Sequence, residues 1–291
     1  MKILLLGKNG QIGWELQRTL APLGEVIAIG HKELDLTDER AIRRAVRSTN
    51  PNLIINAAAY TAVDKAESEP ELAMAINGTA PGILAEEAAL LRAALIHYST
   101  DYVFDGTKTT PYTEGDTPNP INTYGITKLA GEEAIIATEA NHLIFRTSWA
   151  YGLRGSNFLR TILRLAAEKD ELSIVNDQIG APTWSRMIAE ATALAIIFDR
   201  TGKTLQGMYN LTAAGQTSWY GFAEAILTFT MPAGGTTPKL KAISTAEYKA
   251  AAARPKYSGL NCSALEEAAA LKLPHWRSSL KMASEEQRKE T

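Results

Sequence analysis

Lys2-Ile3-Leu4-Leu5-Leu6 running into Gly7-Lys8-Asn9-Gly10-Gln11-Ile12-Gly13 is the stretch on which the fold turns. The opening residues form a short apolar run without polar alternation, the pattern of a strand buried on both faces of a parallel sheet. Three evenly spaced glycines come next, and a helical stretch follows from Trp14 to Ala21. A strand, a glycine turn and a helix in that order let the backbone approach a pyrophosphate, whose charge then sits at the helix N-terminus. The spacing is G-x-x-G-x-x-G, not the commoner G-x-G-x-x-G, so a ligand-free glycine turn is the competing reading. A nucleotide cofactor is the stronger one, with Gly7, Gly10, Gln11, Ile12 and Gly13 at its phosphates.

Working outward, strand-like and helix-like segments alternate, which predicts a parallel sheet with right-handed crossovers. Glu25 to Gly30 reads as strand two, and a helix follows Thr37, placed as N-cap with Glu39 behind it. Asn52 to Asn56 is strand three. Glu71 to Ala94 is helical material interrupted by Gly78 and Pro81-Gly82. Leu95 to Ser99 is strand four, and His142 to Arg146 is strand five. Beyond Ala150 the alternation weakens. Asn157 to Glu168 reads as helix, Leu172 to Val175 as a sixth strand, Met187 to Phe198 as an apolar helix, and Pro232 to Pro238 as a surface loop. The Ala-rich pieces 84–94 and 245–253 carry helix propensity.

A second pair of segments carries chemistry: Ser99-Thr100-Asp101-Tyr102-Val103-Phe104 and Tyr124-Gly125-Ile126-Thr127-Lys128. On a helix, Tyr124 and Lys128 at i and i+4 share one face. Thr100 offers a hydroxyl at the end of strand four. An ordinary tyrosine, with a pKa of about 10, is a poor acid-base group at neutral pH. A cation about 4 Å away at an effective dielectric of about 20 favours the phenolate by about 4 kcal/mol, bringing it toward the range where general acid-base catalysis works. Tyr-x-x-x-Lys also occurs by chance on solvated helix faces. The glycine turn upstream is what lifts this pair above that background.

Composition adds bounds. The 291 residues suffice for one large α/β domain with an appendage, or two small ones. A hydrophobic content of 45% and charged content of 21% are those of an ordinary globular chain. Net charge −2 gives no electrostatic case for nucleic acid or an anionic membrane. The single cysteine, Cys262, excludes an internal disulfide and reads as a packed side chain. His97, His142 and the other two histidines show no metal-ligand spacing. No stretch is apolar enough to span a bilayer, and residue 2 leads directly into the first strand, so a cytoplasmic location is the expectation.

Taken together, these residues resemble the extended short-chain dehydrogenase/reductase family. The resemblance covers nearly the whole chain. It is carried by Gly7–Gly13, Asn56-Ala57-Ala58-Ala59-Tyr60-Thr61-Ala62-Val63-Asp64-Lys65-Ala66-Glu67, Ser99–Phe104, Tyr124–Lys128, Arg146-Thr147-Ser148-Trp149, Asn176-Asp177-Gln178-Ile179-Gly180-Ala181-Pro182-Thr183 and Arg254-Pro255. It implies an α/β, Rossmann-like doubly wound parallel sheet with a smaller C-terminal substrate-binding domain. Residues 1–150, with 172–212 returning to them, would bind the dinucleotide; 151–171 and 213–291 would bind the substrate. The implied activity is NAD(P)H-dependent reduction of the C4 ketone of dTDP-4-dehydro-L-rhamnose to dTDP-L-rhamnose, a precursor of bacterial surface polysaccharide.

By the same resemblance, Tyr124 donates the proton to O4, Lys128 lowers the phenol's pKa and bonds the nicotinamide ribose, and Thr100 bonds the carbonyl. Ala57, Ala58 and Ala59 join the cofactor site, and Val63, Asp101, Tyr102 and Trp149 join the substrate site. Tyr102 and Trp149 are equally readable as rim aromatics, and Asn176-Asp177-Gln178 as a turn. Arg254 suits the diphosphate as a bidentate donor, with a lone surface arginine as the other reading. Strand two ends in Gly30-His31-Lys32 without a carboxylate for a ribose 2′-hydroxyl, so NADPH is expected, with NADH as a second possibility. Nearby, Glu33 and Asp35 blur that choice, and Asp35-Leu36 is placed at the adenine.

Some family members are dimers bridged by Mg²⁺ through carboxylates. Glu15 matches one such position, but Arg186 stands where another carboxylate is expected, so no metal and a monomer or weak homodimer are expected. Two rivals stay open: another nucleotide-sugar epimerase or 4,6-dehydratase, and a non-catalytic NADP-binding regulatory subunit. Against the dehydratase, Asp101 is followed by Tyr102, which leaves its Asp-Glu pair incomplete.

Overall fold

The computed structural model describes residues 1–202, 205–230 and 237–290. In chain order the first half comprises β1 (Lys2–Leu6), α1 (Gln11–Thr19), β2 (Glu25–Ile29), α2 (Glu39–Thr49), β3 (Leu53–Asn56), α3 (Val63–Ala66), α4 (Pro70–Met74), α5 (Ala80–Leu91), β4 (Ala94–Thr100), α6 (Thr123–Ile136) and β5 (Asn141–Thr147). There follow β6 (Ala150–Tyr151), α7 (Phe158–Glu168), β7 (Glu171–Val175), β8 (Ile179–Gly180), β9 (Thr183–Trp184), α8 (Ser185–Asp199), β10 (Gly207–Asn210), β11 (Thr217–Ser218), α9 (Trp219–Thr230), β12 (Lys239–Ile243), α10 (Thr245–Tyr248), α11 (Ser263–Ala269) and α12 (Trp276–Glu290).

Six parallel strands form the central sheet in the order β10-β5-β4-β3-β1-β2. Burial on both faces explains the unbroken apolar runs. Ile3 and Leu5 pack with Leu16 of α1, Leu20 just after it and Ile188 and Ile196 of α8, whereas Leu4 and Leu6 pack with Ile42 and Val46 of α2 and Leu84 and Ala88 of α5. The doubly wound α/β arrangement is therefore as expected. The strand order reverses between β1 and β3, where such sheets open a crevice at their carboxyl ends.

Several local expectations are corrected. The strand over Leu172–Val175 does not join the central sheet but pairs with Lys239–Ile243; the sixth central strand is Gly207–Asn210. Its apolar side chains, Leu172 and Ile174, belong instead to a second core with Leu159, Phe222, Ile226, Trp276 and Leu280. Asp38, not Thr37, caps α2, accepting from Ala41 N–H at 2.9 Å, because Thr37 is engaged with Asp35. Gly78 and Pro81-Gly82 do not interrupt the helix before β4. A π-helical turn over Ala75–Thr79 carries α4 into α5, and the glycines let α6 approach closely. A Cβ on Gly131 of α6 would stand 2.1 Å from Asn77 O. The 245–253 piece is helical only to Tyr248. Of the loop expected over Pro232–Pro238, residues 232–236 lie outside the described residues.

On the surface shared by α1, α8 and α12, Arg186 lies among carboxylates. Its guanidinium bonds Glu15 at 3.1 Å and also Glu286, with Glu190 close by and its carboxyl raised by burial. Among the described residues no group of three or more His, Cys, Asp or Glu is arranged to hold a metal. Glu15 is only 8% exposed, so removing its partner leaves a poorly solvated carboxylate. Arg186→Ala is expected to cost about 1–3 kcal/mol by denaturant titration, while EDTA leaves native mass and activity unchanged. A drop in mass or activity with EDTA contradicts this account of the surface.

Candidate active site

The carboxyl ends of β1, β2 and β3 enclose a cavity of about 600 Å³ at the switch point. Its floor is Gly7, Gly10, Gln11 and Ile12, with Ala57, Ala58 and Ala59 opposite and His31 and Leu36 at the end of β2. Glycine is required here for room. A Cβ on Gly7 would stand 2.6 Å from the Ala57 carbonyl carbon, and one on Gly13 2.1 Å from Gly7 O. Gly10 precedes α1 with no side chain capping the helix, so the first N–H groups point toward the cavity as an anion cradle. A dinucleotide pyrophosphate fits that donor set. Gln11 is itself fixed, donating to Ala150 O at 3.3 Å and accepting from Asn157 at 2.9 Å.

At the end of β2, His31 lines the cavity, while Lys32 is exposed and not part of the lining. Glu33 turns back to accept from Gly30 N–H at 2.9 Å and pairs with Lys8 at 2.6 Å, which holds its carboxyl below the usual range. Asp35 is taken up by its own turn with Thr37, and Leu34 and Leu36, not Asp35, line the cavity. Asn9, Thr61, Ile76, Gly155 and Ser156 also line it and were missed in the sequence. Only Asn9, between two glycines of the turn, carried a signal.

Thr100 and Tyr124 come together where β4 ends, with Lys128 one turn further along α6. Thr100 Oγ1 donates to Asp101 Oδ1 at 3.1 Å and accepts from Tyr102 N–H at 3.2 Å, which begins a tight turn over Asp101–Val103. Asn122 caps α6 through Gly125 N–H at 2.7 Å, placing Tyr124 in the first turn. Gly125 lets the two turns meet, since a Cβ there would stand 2.2 Å from Tyr102 O. Tyr124 packs edge-on to Tyr102, ring centroids 5.9 Å apart, and Thr100 lies close enough to act on its phenol.

The electrostatics differ from the sequence expectation. Burial pushes the Tyr124 phenol up to about 12; the Thr100 hydrogen bond opposes this and the Asp101 charge adds to it. Lys128 does not lower it, because Lys128 Nζ turns toward the sheet. It donates to Tyr98 O at 2.6 Å and lies 3.2 Å from His97 Nε2. Burial brings Lys128 down to about 8, against the pull of Glu132. The phenol is thus kept protonated at neutral pH, the form a proton donor needs.

On the substrate side, Asp101 is buried with hydroxyls around it; burial pushes its carboxyl up to about 6 against hydrogen bonds from Ser258, Ser148 and Thr100. Val63 is half-buried at the start of α3. Arg254 is not a lone surface arginine. It forms a two-pronged pair with Asp64, at 3.0 and 2.7 Å, and lies near Tyr102. Trp149 adopts φ +45° and stacks on Trp219 with centroids 3.5 Å apart, so one of its faces is already covered. Asp64, Asn122 and Trp219 were not singled out from the sequence. Pairing across most of the chain's length left no local signal.

Residues 1–289 match the family described as RmlD substrate binding domain. A dTDP-4-dehydrorhamnose reductase from Burkholderia thailandensis is 47% identical over 285 residues, 95% of this chain and 96% of that protein. The chain belongs to the dTDP-4-dehydrorhamnose reductase family. Among solved structures of that family, the enzyme from Clostridium acetobutylicum superposes with TM-score 0.92 at 39% identity, covering 99% of this chain and 100% of the other. The Bacillus anthracis dTDP-4-dehydrorhamnose reductase, solved in complex with NADP, gives TM-score 0.90 at 36% identity, covering 98% and 99%. Among the described residues no helix is long and apolar enough to cross a membrane.

Proposed function

We propose that this chain reduces the C4 ketone of dTDP-4-dehydro-L-rhamnose to dTDP-L-rhamnose, with NADPH as reductant and Tyr124 as proton donor. The observation that carries this reading is the placement of Thr100 beside the buried Tyr124 phenol at the end of β4, within a chain whose relatives are named for that reaction. When bound, the dinucleotide supplies the hydride to C4. Gly7, Gly10, Gln11, Ile12 and Gly13 hold its pyrophosphate at α1, and Ala57, Ala58 and Ala59 form the opposite wall. Leu34 and Leu36 flank the adenine, with Asp35 shaping their turn. Thr100 bonds the ketone oxygen, Tyr124 delivers its proton there, and Lys128 reaches the nicotinamide ribose. Val63, Asp101, Tyr102 and Trp149 line the sugar and base, and Arg254, oriented by Asp64, meets the diphosphate.

Residues 1–150 with α8 and β10 form the dinucleotide-binding part in this reading, and the second core forms the substrate part. No metal takes part, the chain acts as a monomer or weak homodimer, and the cytoplasm is its place of action.

The test is oxidation of NADPH and NADH against a panel of 4-keto-6-deoxy sugar nucleotides. Turnover is expected with dTDP-4-dehydro-L-rhamnose. kcat/KM should favour NADPH by about tenfold, the effect of one charge-assisted contact to the 2′-phosphate from His31 or Lys32. Glu33 does not compete for the ribose, because Lys8 and Gly30 already engage it. A clear preference for NADH sinks the cofactor assignment, and absence of any turnover sinks the reading as a reductase.

A further inference from the structure

His97 stands in the middle of β4, 1% exposed, in register with Asn56 of β3 and Ile144 of β5. An imidazole in an otherwise aliphatic layer needs partners, and each ring nitrogen has one. Nδ1 lies 3.2 Å from Asn56 Nδ2, and Nε2 lies 3.2 Å from Lys128 Nζ. The Asn56 amide is oriented by its other end, because its Oδ1 accepts from Ala58 N–H at 3.2 Å. Its NH₂ therefore faces His97, and an NH₂ group only donates. Nδ1 must accept, so the ring proton sits on Nε2 and points at Lys128 Nζ.

Lys128 Nζ already donates to Tyr98 O at 2.6 Å. A full ammonium against an Nε2–H sets donor against donor, whereas an amine accepts that hydrogen. We propose that His97 is a positioning residue for Lys128: a fixed Nε2–H donor, locked by Asn56, that holds the lysine nitrogen against Tyr98 O and disfavours its charged form. Burial acts in the same direction, bringing Lys128 down to about 8 and the His97 ring well below its ordinary value. The proposal rests on Lys128 serving the site as described above.

The other groups around Lys128 do not account for this. Glu132, one turn further along α6, favours the ammonium, but both its oxygens are engaged by Arg146 of β5 at 2.9 and 2.6 Å. Tyr124 lies one turn back on α6, with Asp101 beside it at the end of β4. His97 is the donor in contact with the lysine nitrogen. Through Asn56 and Ala58 it also ties that nitrogen to the wall of the cofactor cavity.

Two measurements test the proposal. In His97→Gln, the side-chain carbonyl can face Lys128 and accept from its ammonium, which favours the charged form. The alkaline limb of kcat/KM against pH, which reports the free enzyme and follows loss of the Lys128 ammonium, brought down to about 8 by burial, should then move up by about one pH unit. A limb that stays in place, or moves down, overturns the proposal. Independently of turnover, nitrogen NMR of the ring in the native cofactor-free protein should show Nε2 protonated and Nδ1 unprotonated, without titration between about pH 5 and 8. An Nδ1–H tautomer or a titrating ring overturns it equally. Should Lys128→Met keep full reductase activity, the role of Lys128 falls, while the ring spectrum still decides how His97 faces it.

Discussion

Tyr124→Phe is expected to lower kcat by about 10²–10⁴-fold, the usual contribution of a positioned acid-base group, with cofactor binding little changed. The substitution removes the hydroxyl beside Thr100 and leaves the ring packed edge-on against Tyr102, so the loss reports proton donation and not collapse of the site. Two companion variants apportion the effect. Lys128→Met should lower turnover and also weaken NADPH binding, through loss of the ribose contact. Thr100→Val should give a smaller loss, because it weakens polarisation of the ketone while the donor stays. Stopped-flow NADPH oxidation with and without substrate separates these outcomes. Near-full activity in Tyr124→Phe means that the proton comes from elsewhere.

Gly7→Ala is the most damaging single substitution expected in the cofactor turn. Gly7 has φ +84°, and its Cβ would stand 2.6 Å from both Ala57 C and Ala58 N. Those atoms are backbone at the end of β3, so no side chain can swing aside. Left-handed strain costs about 1–3 kcal/mol and overpacking about 1–3 kcal/mol more. Relief would pull the turn from β2, where Gly7 N–H donates to Ile29 O at 2.9 Å. Thermal unfolding should fall by roughly 5–15 °C, and NADPH affinity by more than about tenfold. Gly202 offers the control: its φ is also +84°, and among the described residues nothing lies within 4 Å of the point where a Cβ would stand. Gly202→Ala should therefore show only the strain and leave NADPH affinity intact. If the two variants behave alike, the close approach at Ala57 is not what makes Gly7 necessary.

The sequence by itself determined the doubly wound sheet, the glycine turn and the helix face that Tyr124 and Lys128 share. Each depends on a local pattern: apolar runs from burial on two faces, glycines from backbone crowding, and i, i+4 spacing on one helix. Only the tertiary structure decided what depends on distant partners. Leu172–Val175 reads as a central strand by composition, yet Lys239–Ile243 and a second aliphatic core claim it. The free cation expected of Arg254 is paired by Asp64, and the open face expected of Trp149 is half taken by Trp219. Lys128 and Tyr124 share a helix face as their spacing required. Periodicity fixes a face and not a partner, however, and what the lysine nitrogen meets is the carbonyl of Tyr98 and the ring of His97. Local sequence sets the direction in which a side chain leaves the backbone; which donors and acceptors await it is set by strands brought together from elsewhere in the chain.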